Sequence, residues 1–121
     1  MGTLESVEIK AFVPARDFPL SRAFYQDLGF DVAWSSDELA YLRHGNTSFL
    51  LQNLYVQAQA ENFMMHLLVA DVDAWWQHVV ASGVAERYGV AMAPPQDQPW
   101  GMRDFTVFDP SGVLWRIAQN L

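Results

Sequence analysis

The 121-residue sequence contains no cysteine. That excludes disulfide staples, thiolate metal sites and cysteine nucleophiles, and it fits a reducing compartment. Positive charge is scarce as well: 7 Lys and Arg stand against 14 Asp and Glu, a net of −7. The basic residues do not cluster, so a polyanion such as a nucleic acid is repelled. No apolar run approaches the roughly 18 residues needed to span a bilayer. The N-terminal MGTLESVEIK has no basic segment leading into an apolar stretch, as a signal peptide would. Low-complexity segments and long linkers are missing too, as are a phosphate-cradling glycine loop, a Ser–His–Asp arrangement and a paired-carboxylate motif. What remains is a chain of one domain's length with 51% hydrophobic residues, enough to bury a core without staples. The expectation is a single domain over residues 1–121, cytoplasmic, touching neither nucleic acid nor membrane.

The pattern that is present repeats. Alternation predicts a strand over 7–14, and DFPLSRAFYQDLGF then predicts a helix with Asp17 as cap, Pro19 in the first turn and Gly29 as stop. Strands are predicted at 31–36, 39–45 and 47–54, with a tight turn at His44–Asn46. The order then restarts: a strand at 63–70, a helix at 71–83, and strands at 86–93, 102–109 and 113–120. Asp17 and the LGF at 28–30 stand 54 residues before Asp71 and the SGV at 82–84. Matched spacing of this kind predicts an α+β fold of two βαβββ modules, about 5–57 and 62–120, forming a curved mixed sheet around a cleft with helices outside.

That order, with FYQDLGF at 24–30 and PWGMRDFTVFDPSGVLWRI at 99–117, resembles the vicinal oxygen chelate superfamily of glyoxalases, bleomycin-resistance proteins and extradiol dioxygenases. QPWG at 98–101 and ARD at 15–17 look most like the bleomycin-resistance branch. The resemblance implies a homodimer with the cleft completed at its interface. In catalytic members it also implies a divalent metal held by four side chains, usually His and Glu. Carried over one by one, those positions fall on Lys10, on Met64, on Arg116 after the DPSG turn, and on Leu51 or Gln52. Lys and Arg offer no lone pair at neutral pH, and a thioether suits Cu(I) instead of the harder ions of this family. The expectation is therefore no metal, no cofactor and no catalytic residue.

Among single residues, His44 reads as a solvated turn residue and His78 as partly exposed or capping. His66 shares strand parity with Met64 and Leu68, so all three should face the cleft. Trp34, Phe49, Tyr41 and Trp100 are candidates to line it, the two tryptophans as stacking platforms. Phe105 and Trp115 read as core. Lys10 and Arg116 either pair with carboxylates or offer donors to a ligand. The candidate ligand-binding set is Lys10, Trp34, Phe49, Leu51, Met64, His66, Leu68, Trp100, Met102 and Arg116. The leading expectation is a binding protein that sequesters a small organic molecule, such as a glycopeptide-type antibiotic, with the acidic balance favouring a cationic one. The alternatives are a metal-dependent lyase, isomerase or dioxygenase, and a metal-free enzyme using His66 or Arg116.

Overall fold

A computed structural model describes residues 2–121. The elements follow as β1 (Phe12–Pro14), α1 (Phe18–Leu28), β2 (Asp31–Ser35), β3 (Leu39–His44), β4 (Thr47–Gln52), α2 (Gln57–Glu61), β5 (Met64–Leu68), α3 (Val72–Ser82), α4 (Val84–Tyr88), β6 (Met92–Asp97), β7 (Met102–Phe108) and β8 (Leu114–Asn120). They build two four-stranded mixed sheets with the same topology, β1-β4-β3-β2 and β5-β8-β7-β6. In each, the first strand runs parallel to the last and the remaining pairs are antiparallel.

The two long helices form for the same local reasons. Asp17 and Asp71 cap them by accepting from the backbone N–H of Leu20 and Ala74, and Gly29 and Gly83 close them. Their bounds keep the 54-residue offset, Phe18–Leu28 against Val72–Ser82. α1 buries Phe18, Ser21, Phe24, Tyr25 and Leu28, one stripe at helical spacing. α3 buries Val72 and Val79 and lays Trp76 edge-on to Phe105, 5.2 Å between centroids.

Two expected strands are corrected. The first is confined to Phe12–Pro14, because the chain before it loses apolar cover: Val7 and Ile9 are each 95% exposed. The segment expected as a strand at 86–93 instead begins with α4, set between two glycines in the left-handed region, Gly83 at φ +72° and Gly89 at φ +65°. α4 docks on α1, where Tyr88 donates to the Asp27 carboxylate and Arg87 pairs with it. The strand starts only at Met92 and carries Pro94 and Pro95. It tolerates them because it is the sheet edge, with a register shift between Ala93 and Gln96.

α1 is also where the second module fastens to the first. In the DPSG turn, Asp109 Oδ1 accepts from the N–H of Ser111 and Val113 at 2.8 and 2.9 Å. Its Oδ2 accepts from the Tyr25 hydroxyl at 2.6 Å, and that oxygen accepts from Trp115 Nε1 at 2.8 Å. Ser111 Oγ accepts from the Arg16 N–H and shares a hydrogen bond with Ser21. Desolvation raises the Asp109 carboxyl above the usual carboxylate range, and burial raises the Tyr25 phenol. His78 Nε2 donates to the carbonyl of Leu28 at 2.9 Å, capping the end of α1 from the other module.

Candidate ligand-binding site

Strand parity gives each sheet one face under its helix and one open face. In the first sheet Val13, Ala40, Leu42, Phe49 and Leu51 lie under α1 and are buried. The alternate residues form rows across the strands. Phe12, Leu50, Tyr41 and Trp34 are successive partners from β1 to β2, and Phe12 and Trp34 are 52% and 55% exposed. This row is largely aromatic and open to solvent. Next to it lies a charged row of Ser48, Arg43 and Asp31. From the chain before β1, Glu8 accepts from Tyr41 and Ser48 and pairs with Lys10 Nζ at 2.7 Å. Those donors, Lys10 first and Ser48 next, pull the Glu8 carboxyl down to about 2. Lys10 and Arg43 also sit over the Tyr41 ring, 4.8 and 5.1 Å from its centroid.

In the second sheet Leu67, Phe105, Val107, Trp115 and Ile117 are buried, Phe105 against Trp76 of α3 and Trp115 against Tyr25, Phe30 and Phe49. The open face carries three rows: Met64–Leu114–Phe108, His66–Arg116–Thr106–Ala93, and Leu68–Ala118–Asp104–Gln96. Met64, Leu68 and Phe108 are exposed, whereas Asp104 is only 3% exposed. Its carboxylate accepts from Gln98 Nε2 at 3.0 Å and Arg116 Nη1 at 3.2 Å. A polar cavity of about 210 Å³ opens beside this pair, lined by Gln96, Gln98, Thr106 and Arg116 among others. A groove of about 270 Å³ is lined by residues of both β4 and β5, with Phe30, Phe49, Met65, Leu67, His66 and Trp115 in its walls. Trp100, 60% exposed, stands at the tip of the β6–β7 hairpin.

The candidate residues divide accordingly. Lys10 and Trp34 lie on the first open face, and Met64, His66, Leu68 and Arg116 on the second, with Met102 at its end. Leu51 is corrected: its parity sends it under α1, at 0% exposure; Phe49, at 1% exposure, shares that parity and lines the groove. His44 is corrected too. Its ring packs 4.8 Å from Trp75 and 5.9 Å from Phe30 instead of standing free in solvent. Phe12, Asp104, Thr106 and Phe108 were missed, although once Phe105 is core, alternation puts Asp104, Thr106 and Phe108 on the opposite face.

Of Leu51 and Gln52, the two residues the resemblance left for the fourth metal position, Leu51 lies in the core and Gln52 shares the open face with Leu50 and Ser48, so the resemblance would set Lys10, Gln52, Met64 and Arg116 where the superfamily's enzymes hold a metal. Two cations, an amide and a thioether do not fit a hard or borderline divalent ion. Among the described residues no group of three or more His, Cys, Asp or Glu could hold one elsewhere.

Residues 7–117 match the sequence profile of the Glyoxalase/Bleomycin resistance protein/Dioxygenase superfamily. The chain belongs to this superfamily. A bleomycin resistance protein of Klebsiella pneumoniae is 26% identical over 111 residues, which are 89% of this chain and 88% of that protein. The crystal structure of a bleomycin-binding protein from bleomycin-producing Streptomyces verticillus, in complex with copper(II)-bleomycin, superposes with a TM-score of 0.82 at 24% identity, covering 98% of this chain and 100% of that one. An antibiotic-binding protein from Streptomyces sp. CB03234, TnmS3, superposes at 0.75 with 23% identity over 99% and 100% of the two chains. These likenesses establish the glyoxalase/bleomycin resistance fold. No helix among the described residues is long and apolar enough to cross a membrane.

Proposed function

We propose that the protein binds a medium-sized organic molecule without a metal ion and sequesters it, as a cytoplasmic antibiotic-binding protein does. The observation that carries this reading is the cross-strand row Phe12–Leu50–Tyr41–Trp34, whose outer aromatic rings, Phe12 and Trp34, are more than half exposed. The Lys10–Gln52–Met64–Arg116 set supports binding over metal-assisted chemistry. The relatives named as bleomycin-resistance or antibiotic-binding proteins support the ligand class. Sequestration needs no turnover, since protein in excess of the drug and above its Kd lowers the free concentration by mass action.

The active form in this reading is a homodimer, with 1–121 as a single domain. Phe12 and Trp34 are exposed on the first sheet's open face and Met64, Leu68 and Phe108 on the second's, and Leu4, Val7 and Ile9 extend almost wholly exposed before β1. Exposed apolar side chains gathered with polar ones at their rim suit an interaction surface. A second copy laid over these faces would close each one into a cleft.

The test is a titration of the purified protein with metal-free bleomycin, followed by tryptophan fluorescence, together with native mass spectrometry. The expected results are saturable quenching at no more than one drug per chain, a species of twice the chain mass, and less than about a tenth of an equivalent of divalent metal. Unchanged fluorescence at high micromolar drug would reject bleomycin as a ligand. Stoichiometric metal after chelator-free purification would reject the metal-free reading.

A further inference from the structure

We infer that the cross-strand row His66–Arg116–Thr106 is a hydrogen-bonding subsite for an uncharged amide-type group, so that an arginine does at this place what a metal ion does in the superfamily's enzymes. The inference rests on the small-molecule reading above and adds the chemistry of one part of the ligand. The three side chains are direct partners across β5, β8 and β7, and rows on adjacent strands lie about 4.8 Å apart. They therefore line up over roughly two strand spacings.

Met64, Leu114 and Phe108 form an apolar row on one side; on the other stand Leu68 and Ala118, continuing into Asp104 and Gln96. Among the described residues neither His66 nor Thr106 has a side-chain hydrogen bond, and Arg116 has one, to Asp104. A guanidinium carries five N–H donors, so Arg116 keeps most of its donors for something else. These donors and acceptors, half-buried at Arg116 and Thr106 and exposed at His66, are available to a ligand that reaches the open face.

The charge balance selects the class of ligand group. Asp104 neutralises Arg116 at 3.2 Å and is itself fixed by Gln98. An anion drawn to Arg116 would meet the Asp104 carboxylate at close range, within a chain of net charge −7. A cation would be pushed away by the guanidinium. A neutral carboxamide meets neither penalty: its carbonyl accepts from Arg116, and its N–H₂ donates to the Thr106 hydroxyl or a His66 ring nitrogen. The apolar Met64–Leu114–Phe108 row adds to the selection on its side, because desolvating a charged group there costs more than desolvating an amide.

Three probes sharing one ring separate these cases: nicotinamide, nicotinate and picolylamine, titrated into the intact protein and followed by ligand-observed NMR. Nicotinamide should bind roughly tenfold more tightly than either charged analogue, the scale of one or two net hydrogen bonds. Thr106→Val should cut that preference several-fold while leaving the Arg116–Asp104 pair in place. Because Arg116→Met alone strands a buried carboxylate, it is combined with Asp104→Leu, and this double variant should bind all three probes alike at unchanged dimer mass. Equal binding of the probes to the parent protein, preference for a charged one, no binding at all, or a preference that survives the double variant would each overturn the inference. Bleomycin titration reads the sequestration proposal separately, so a drug that fails while the nicotinamide preference holds removes the drug and keeps the subsite.

Discussion

The two modules are built alike under their helices and unlike on their open faces. α1 and α3 share length, aspartate cap and glycine stop at a constant offset, and the residues beneath them are apolar in both. On the open side, the first sheet carries an aromatic row edged by the Glu8–Lys10–Tyr41–Arg43 cluster. The second carries the Arg116–Asp104 pair and its polar neighbours beside the apolar row Met64–Leu114–Phe108. Parity explains why both can be true. Packing against a helix constrains alternate residues tightly, whereas the residues between them meet no helix and are free to take up different chemistry. One face offers stacking surface and the other offers hydrogen bonds, which suits a ligand with a flat aromatic part and an amide-bearing part.

The relation between the faces depends on the fastening at α1, and the largest expected effect comes from cutting it. Tyr25→Phe removes the hydroxyl that serves both Asp109 and Trp115, leaving two buried polar atoms short of a partner. At roughly 1–3 kcal/mol for each stranded group, the loss should be about 2–6 kcal/mol in urea unfolding. Ser111→Ala, which removes the weaker links to Arg16 and Ser21, should lose less. If the two variants cost the same small amount, the modules hold together by apolar packing alone.

The next effect separates the faces by what they contribute to binding. Trp34→Ala should weaken bleomycin binding by roughly 10- to 100-fold, as loss of an aromatic anchor does, with Trp100→Ala comparable or smaller. Neither should lower the melting temperature much, since both side chains are more than half exposed. Phe108→Ala, on the second face and 38% exposed, should weaken binding only a few-fold. The reverse ranking would move the stacking platform to the second module.

How far the sequence alone reaches follows the same division. The caps, the glycine stops and the alternation of FTVF and VLWRI place α1, α3, β7 and β8 within a residue or two. They also put Trp115 in the core and His66 in line with Met64 and Leu68. Where a pattern fits two structures, tertiary context decides. ERYGVAMA alternates like a strand, but its first residues complete a helical turn because Asp27 and the α1 surface are there to receive Arg87 and Tyr88. Pro94 and Pro95 hide a real strand, since only an edge position permits them. By sequence, Leu51 fits either of two registers. Its pairing with Val13 fixes it in the core, and no local feature of TSFLLQ contains that information.

The smallest expected effect is electrostatic, and it has opposite signs in the two modules. Glu8 titrates in the folded protein at about 2, below its ordinary 4.5, because Lys10, Ser48 and Tyr41 favour its charged form. Its contribution to stability is therefore complete above pH 4.5 and is lost as the pH falls towards 2. Asp109 is raised by desolvation, so its contribution is complete below its unfolded value and is lost as the pH rises through its folded one. Since other carboxylates, Asp97 among them, are also shifted, the two are read by difference. Stability of the parent minus that of Glu8→Gln should decline steadily from pH 4.5 to pH 2. Stability of the parent minus that of Asp109→Asn should move the opposite way and decline with rising pH. Because the Glu8 cluster lies at the surface, its slope should also flatten in high salt, while the Asp109 slope, carried by desolvation, should not. A flat Glu8 difference at low salt would mean that the chain before β1 is not held against Tyr41, and that the charged edge of the first face forms only when a partner or ligand covers it.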